Sequence, residues 1–285
     1  VPVTPVHRTV AVDWSGAREP GRPSRIWLAE VADGTLVRLH GGWSRAEVTA
    51  ELVEIVRAAA HTGERVLIGL DFSFGFPAWY LRDRGWRRAD QAWQAFDPVT
   101  VDQLLSAPSA PFWGRGAVRT RPAMFVEPTQ TPAFRETERQ VAARHAVRPF
   151  SIFQLVGAGS VGAASLRGMA TLHALREAGA TLWPFAEESP DARATVLEVW
   201  PRLCAPAVNK SDPAARLAVL QGLYERHGVT GVMHTEVRRD VRASDDAFDA
   251  LIAAHALWRG RNRPLTSRVP PEVAALEGAI WEPPV

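Results

Sequence analysis

Only one of the 285 residues is a cysteine, Cys204, and only one is a lysine, Lys210. A single thiol excludes a disulfide framework and a cysteine-based zinc site. No apolar run approaches the ~18 residues of a membrane span. The opening Val1-Pro2-Val3-Thr4-Pro5 lacks the charged-then-apolar layout of a signal peptide. These absences make the cytoplasm the default compartment and argue against a membrane partner. The scarcity of lysine carries a second message. The basic side chains are almost wholly arginine, and Ala, Gly and Pro are abundant, which reads as compositional bias. Arginine is therefore a weak sign of chemistry here, and the one retained lysine is a stronger one. A hydrophobic content of 46% and a charged content of 22% are ordinary for a globular chain. The length suits one large domain, or one domain carrying an insertion.

His7-Arg8-Thr9-Val10-Ala11-Val12-Asp13-Trp14-Ser15-Gly16 reads as a buried strand ending in a carboxylate, then a small-residue turn in which Gly16 can take positive φ. A desolvated aspartate costs free energy unless a cation or hydrogen-bond donor meets it. Asp13 is thus either a turn cap or a metal ligand, and the second reading needs further carboxylates at the same place. A Pro/Gly-rich connection from Arg18 to Pro23 follows. Ser24 to Val31 and Thr35 to Leu39 then form strands around an Ala32-Asp33-Gly34 turn, so the first three strands make an antiparallel meander. Ser44 with Glu47 is a capping box for a helix to about Ala60. Arg65 to Asp71 is a second apolar strand ending in aspartate. Arriving through a helix, it is expected parallel to the first strand, with Asp13 and Asp71 side by side at the carboxyl end.

From about 73 to 150 the pattern loses sheet character and reads as an insertion, with a helix predicted over Thr131 to Ala146. Two clusters mix arginine with aromatics: Trp79 to Arg88, and Phe112 to Arg121. They either grip phosphates and stack on bases, or form a small core with a solvated basic face. Gly157-Ala158-Gly159-Ser160-Val161-Gly162 is a formal dinucleotide fingerprint between an apolar run, Ser151 to Val156, and a helix to about Ala178. The acidic residues Glu187 and Glu188 come some ten residues late by the usual spacing of ~20, so no nicotinamide or flavin cofactor is expected. Thr181 to Phe185 and Thr195 to Val199 read as strands, with a hairpin as one pairing. Glu198 interrupts the second run as a further site candidate or an outward-facing residue. Lys210 lies in a loop before a helix from about Asp212 to His227, and Val237 to Arg242 reads as loop. Ser244 caps a last helix, where Asp245 and Asp246 suit the dipole. Asp249 is less easily explained, because it borders the apolar face of Phe248, Leu251, Ile252 and His255. His255 reads as a packed residue rather than a ligand.

The strand ending in Asp13, the meander, the strand ending in Asp71 and the helix with Asp246-x-x-Asp249-Ala-Leu together resemble the RNase H-like superfamily. The helix is most similar to that of RuvC-type Holliday-junction resolvases. More closely, the chain resembles a bacterial family of predicted RNase H-like nucleases, domain of unknown function 429. The similar stretches are Asp13-Trp14-Ser15-Gly16, Leu70-Asp71-Phe72, Ser151-Ile152-Phe153-Gln154, Glu198-Val199-Trp200-Pro201, Asn209-Lys210-Ser211 and Asp245 to Ala250. Trp200 stands where that family often has a histidine, and Asp71 stands where RuvC-type enzymes have glutamate. The resemblance implies a single domain over 1–285: an RNase H-like α/β mixed sheet, antiparallel meander plus parallel strands, flanked by helices and carrying the 73–150 insertion.

Clustered carboxylates repel unless a cation is bound, and Mg²⁺ or Mn²⁺ prefers such hard ligands. Two ions can drive an in-line phosphoryl displacement. The expected roles follow: Asp13 bridges, Asp71 and Asp249 complete the metal sites, and Asp246 and Glu198 are secondary ligands or orient water. Lys210 contacts the scissile phosphate, orders the acids, or is a solvated loop residue. The expected function is metal-dependent cleavage of DNA or RNA. Two alternatives stand beside it. Asp13-x-Ser15-Gly16 also resembles the phosphate loop of the sugar-kinase and actin group, and the arginine-aromatic insertion could serve a non-catalytic nucleic-acid-binding module.

Overall fold

In the computed structural model, β1 (Val6–Asp13) is buried almost throughout from Thr9 onward and lies at the middle of the sheet. The residues described are 5–17, 26–125, 130–157, 161–186, 191–205, 208–227 and 235–284. The Arg18 to Pro23 connection lies outside them. β2 (Ile26–Ala32) runs antiparallel to β1, pairing Ala29 with Ala11, and β3 (Thr35–Trp43) returns along β2 as an edge strand. Their turn places Asp33 and Gly34 at positive φ, the backbone twist a tight hairpin requires. α1 (Arg45–Thr62) starts at the Ser44–Glu47 capping box and ends at Gly63. It delivers β4 (Arg65–Leu70) parallel to β1, with Leu70 beside Val12.

Between β4 and the next strand come α2 (Ala78–Asp83), α3 (Ala89–Ala95), α4 (Pro98–Ser106), α5 (Glu136–His145) and α6 (Gly162–Glu177). The predicted helix over 131–146 begins only at Glu136, where Glu138 Oε2 accepts from the Arg135 amide at 2.8 Å and caps the first turn. Both aromatic clusters turn inward. Phe76, Tyr80, Phe112, Phe125 and Phe153 pack with ring centroids 4.8–6.5 Å apart and are continuous with one face of the sheet. Arg82, Arg84, Arg87, Arg88, Arg115, Arg119 and Arg121 stay at the surface. These buried rings serve as core, with Trp79 and Trp86 partly buried against them, while the arginines keep their charge outside.

β5 (Thr181–Leu182) and β6 (Ala194–Val199) follow, and they pair in parallel, not as a hairpin. β6 is drawn beside β4, with Glu198 opposite Leu70, which sets its direction. α7 (Pro201–Cys204), α8 (Pro213–His227), α9 (Thr235–Ala243), α10 (Asp245–Gly260), α11 (Pro271–Glu277) and β7 (Ile280–Trp281) complete the chain. α9 occupies the stretch read from sequence as loop. It buries little more than Val241, so its polar sequence hides the helix. The sheet order is β3-β2-β1-β4-β6-β5, with β7 also beside β6. This meander followed by parallel strands is an RNase H-like mixed α/β arrangement.

Alternation along β1 sends Val10 and Val12 to the face covered by α1 and α6, and Ala11 to the face covered by α10. Ala11 and Ala29 meet Ala250, Ala253 and Ala254 on that second face, so small side chains let the helix lie close. Thr9 Oγ1 donates to Ala254 O at 3.0 Å and pins the contact. No helix among the described residues is long and apolar enough to cross a membrane.

Candidate active site

Parallel pairing of β1 with β4 carries Asp13 and Asp71 off the same sheet edge, and Asp71 N donates to Val12 O at 3.1 Å. Their side chains lie close enough that each perturbs the other's protonation. Asp13 is 9% exposed. Burial, then the charges of Asp71, Asp249 and Asp246, raise its pKa well above the usual carboxylate range. Asp71 is pushed up to about 8 by burial and by Asp249, against the opposing pull of Lys210.

The third carboxylate arrives on α10. Ser244 Oγ accepts from Ala247 N at 3.1 Å and starts the helix, which puts Asp246 in its first turn and Asp249 in its second. Burial raises the Asp249 pKa, while Lys210 opposes the shift. Lys210 Nζ donates to Asp249 Oδ2 at 2.7 Å and lies 2.6 Å from Oδ1. Oδ1 is nevertheless buried without a well-directed hydrogen bond. The Asn209-Lys210-Ser211 stretch has a structural reason. Asn209 Oδ1 accepts from the Ser211 amide and hydroxyl, and buried Arg216 donates to Lys210 O and to Val241 O at 2.8 Å. That clamp holds the lysine loop against α9 and the acidic centre.

Glu198 stands at the same end of the sheet but in different company. Arg135 Nη1 and Nη2 donate to its two oxygens at 2.8 and 2.5 Å, and the Phe74 amide adds a third bond at 2.9 Å. Arg135 is fully buried and also meets Glu138 through Nε at 2.9 Å. Both Glu198 oxygens are therefore already paired with buried donors. Arg135 and Glu138 were not legible in the sequence. The only local trace is the three-residue capping-box spacing, which arginine bias conceals. Cys204 is buried near the centre, and burial with the charges of Asp71 and Asp249 drives its thiol pKa upward. His255 is packed, 4% exposed, within α10.

The donors fit a hard divalent cation in kind: carboxylate oxygens, one of them without a directed partner. Their present placement differs from a coordination shell. Among the described residues, no three His, Cys, Asp or Glu side chains are grouped to hold one ion. The Lys210 ammonium at Asp249 supplies positive charge instead, while burial and mutual repulsion favour the protonated forms of Asp13 and Asp71.

Two glycine motifs resolve into packing. Gly16 needs no positive φ, contrary to expectation. A Cβ there would lie 2.6 Å from Ala164 N, so glycine lets the Asp13 turn sit on the first turn of α6. In the dinucleotide-like run, Gly157 has φ of +125°, and a Cβ on Gly162 would collide with Ile152 O. Ala158 to Ser160, and Glu187 with Glu188, lie outside the described residues. The preceding run is not a strand and makes only an isolated bridge from Gln154 to Trp113, so the strand half of the fingerprint is missing.

Fold and site together define an α/β protein with an acidic centre at the carboxyl end of an RNase H-like sheet. The chain belongs to the family described as "Protein of unknown function (DUF429)", whose model matches residues 25–273. Asp71, Glu198, Lys210, Asp246 and Asp249 fall within the match, and Asp13 precedes it. No curated protein and no solved structure matches the chain.

Proposed function

We propose that the chain is a divalent-metal-dependent phosphodiesterase acting on nucleic acid, with Mg²⁺ or Mn²⁺ held by Asp13, Asp71 and Asp249. The observation carrying this reading is the convergence of those three carboxylates from β1, β4 and α10 on one another's electrostatic field. When bound, the cation offsets phosphate charge and makes a water more acidic. The remaining tasks fall to the chain's own residues. Asp13 feels Asp71, Asp249 and Asp246 together and is the shared ligand. Asp246, three residues before Asp249, adds negative potential and orients water. Glu198, clamped by Arg135, positions the wall beside Asp71. Lys210 offers a compact ammonium to a phosphate oxygen while ordering Asp249.

Incubation with single- and double-stranded DNA and RNA, in Mg²⁺, Mn²⁺ or EDTA, tests the reading. Cleavage is expected only with metal and is lost in a folded Asp13→Asn variant. Wild-type cleavage by that variant overturns the assignment. A second reading, ATP-dependent phosphoryl transfer, rests on the Asp13-x-Ser15-Gly16 turn seated against the N-terminus of α6. ATP turnover without phosphodiester cleavage in the same panel decides for it.

A further inference from the structure

A cavity of about 260 Å³ opens beside the acidic centre, and Asp71 is part of its wall. Four aromatic side chains, Trp14, Phe72, Phe150 and Trp200, line it. Trp14 and Phe72 are nearly inaccessible, with ring centroids 5.0 Å apart, and form a fixed wall. Phe150 and Trp200 are partly exposed. The cavity is smaller than the ~300–1,000 Å³ of sites for drug-sized ligands, and it suits one planar ring system. Trp14, 6% exposed, keeps an indole N–H that finds no hydrogen-bond partner among the described residues. The polar part of the wall includes Glu138 and Glu198, which Arg135 already pairs.

A second cavity, about 310 Å³, is lined among the described residues by His145, Arg202 and Lys210, with His145 bonded to Glu282 at 2.7 Å. Two stretches contribute to both cavities: 145–150, and 199–205 with 208–210. The aromatic walls thus adjoin the acidic centre through Asp71, and the cationic lining adjoins it through Lys210. Lys210 belongs to the cationic lining and touches Asp249, so the second cavity also adjoins the acidic centre.

We infer that the aromatic cavity receives one unpaired base of a nucleic-acid strand, whose backbone then crosses the carboxylates toward Arg202 and Lys210. Aromatic faces stack on any base, and a ring enclosed in such a cavity has left its own helical stack. The cationic lining takes backbone phosphate without reading sequence. The preferred substrate is accordingly single-stranded, or carries a bulged or mismatched base. The inference rests on the nucleic-acid part of the proposed function, not on cleavage.

Binding in EDTA separates the two. Fluorescence anisotropy of a labelled 12-nucleotide single strand, its blunt duplex and a nucleoside monophosphate competitor are measured on the full chain. The single strand is expected to bind at least tenfold more tightly than the duplex, and the mononucleotide to compete weakly. Trp200→Ala and Phe150→Ala should each weaken single-strand binding about tenfold with unchanged melting temperature. Arg202→Ala should lower affinity for all strands and reduce the salt slope by about one. If folded Trp200→Ala and Phe150→Ala both bind like wild type, or strand and duplex bind equally, the base cavity is refuted. A mononucleotide as tight as the strand overturns the polymer assignment. Strand binding without cleavage in Mg²⁺ or Mn²⁺ supports the cavity and removes the nuclease reading; cleavage unaffected by either aromatic variant does the reverse.

Discussion

Two groups of carboxylates stand at the same end of this sheet, and they are balanced in opposite ways. Glu198 and Glu138 surround the buried guanidinium of Arg135, and each of their four oxygens receives a donor from that residue's side chain or amide. Asp13, Asp71 and Asp249 have one ammonium between them, and burial with mutual repulsion raises their pKa values. The first group is complete and structural. The second is short of positive charge, which is the electrostatic condition for taking up a cation or titrating near neutrality. Both groups are carboxylates around a single cation, so the supply of directed hydrogen-bond donors makes the difference.

The largest blow to this contrast is Arg135→Met. It strands two buried carboxylates, and loss of one partner from a buried pair costs about 3–5 kcal/mol. Denaturant titration should show a stability drop of that size; a change under ~1 kcal/mol means the network is not structural. Next comes metal. Mg²⁺ or Mn²⁺ at ~100 times Kd should add about 2.7 kcal/mol to wild type by linkage and nothing to Asp13→Asn or Asp249→Asn. Identical wild-type melts in EDTA and millimolar metal would falsify the cation site.

The pH response sharpens the comparison further. Asp71 binds its proton more tightly folded than unfolded, since its pKa rises from the ordinary carboxylate range to about 8. The folded chain then holds the extra proton between those values, so this group's contribution to stability falls as pH rises through that window and levels off above it. Metal-free melts from pH 5 to 9 should show the decline, and Asp71→Asn should flatten it. A flat wild-type profile counts against the crowded acids. The smallest effect on stability is expected at Lys210, whose pair with Asp249 is partly exposed (23% and 18%). Lys210→Ala and Lys210→Arg should move the melting temperature by only a degree or two. Both should lower kcat or substrate affinity about tenfold. Full activity in both variants makes the lysine dispensable.

Much of the frame was legible because it is local. Asp33-Gly34 between apolar runs, Ser44 with Glu47, and Ser244 before an apolar helix each act within a few residues. Asp13 and Asp71 were legible as apolar strands with a carboxylate at the end, and a helical crossover implies their alignment. Asp249 stood out as an acid beside an apolar stripe. Elsewhere local pattern misled. The apolar side of α9 is only Val237 and Val241, a stripe of one turn that is too short to read as a helix, and the direction of β5 along β6 depends on the sheet already formed by β1 and β4.

By itself, then, the sequence determined the order of elements, the caps and turns, and the presence of acids at strand and helix ends, since spacing and side-chain chemistry act over a few bonds. Tertiary structure alone decided which acids are neutralised. Arg135 lies 63 residues from Glu198, and Lys210 lies 39 from Asp249. Nothing in the intervening residues ranks one carboxylate above another as a partner. Only chain folding brings a charge within ~4 Å and removes the water between, and at that range and dielectric the pairing becomes decisive.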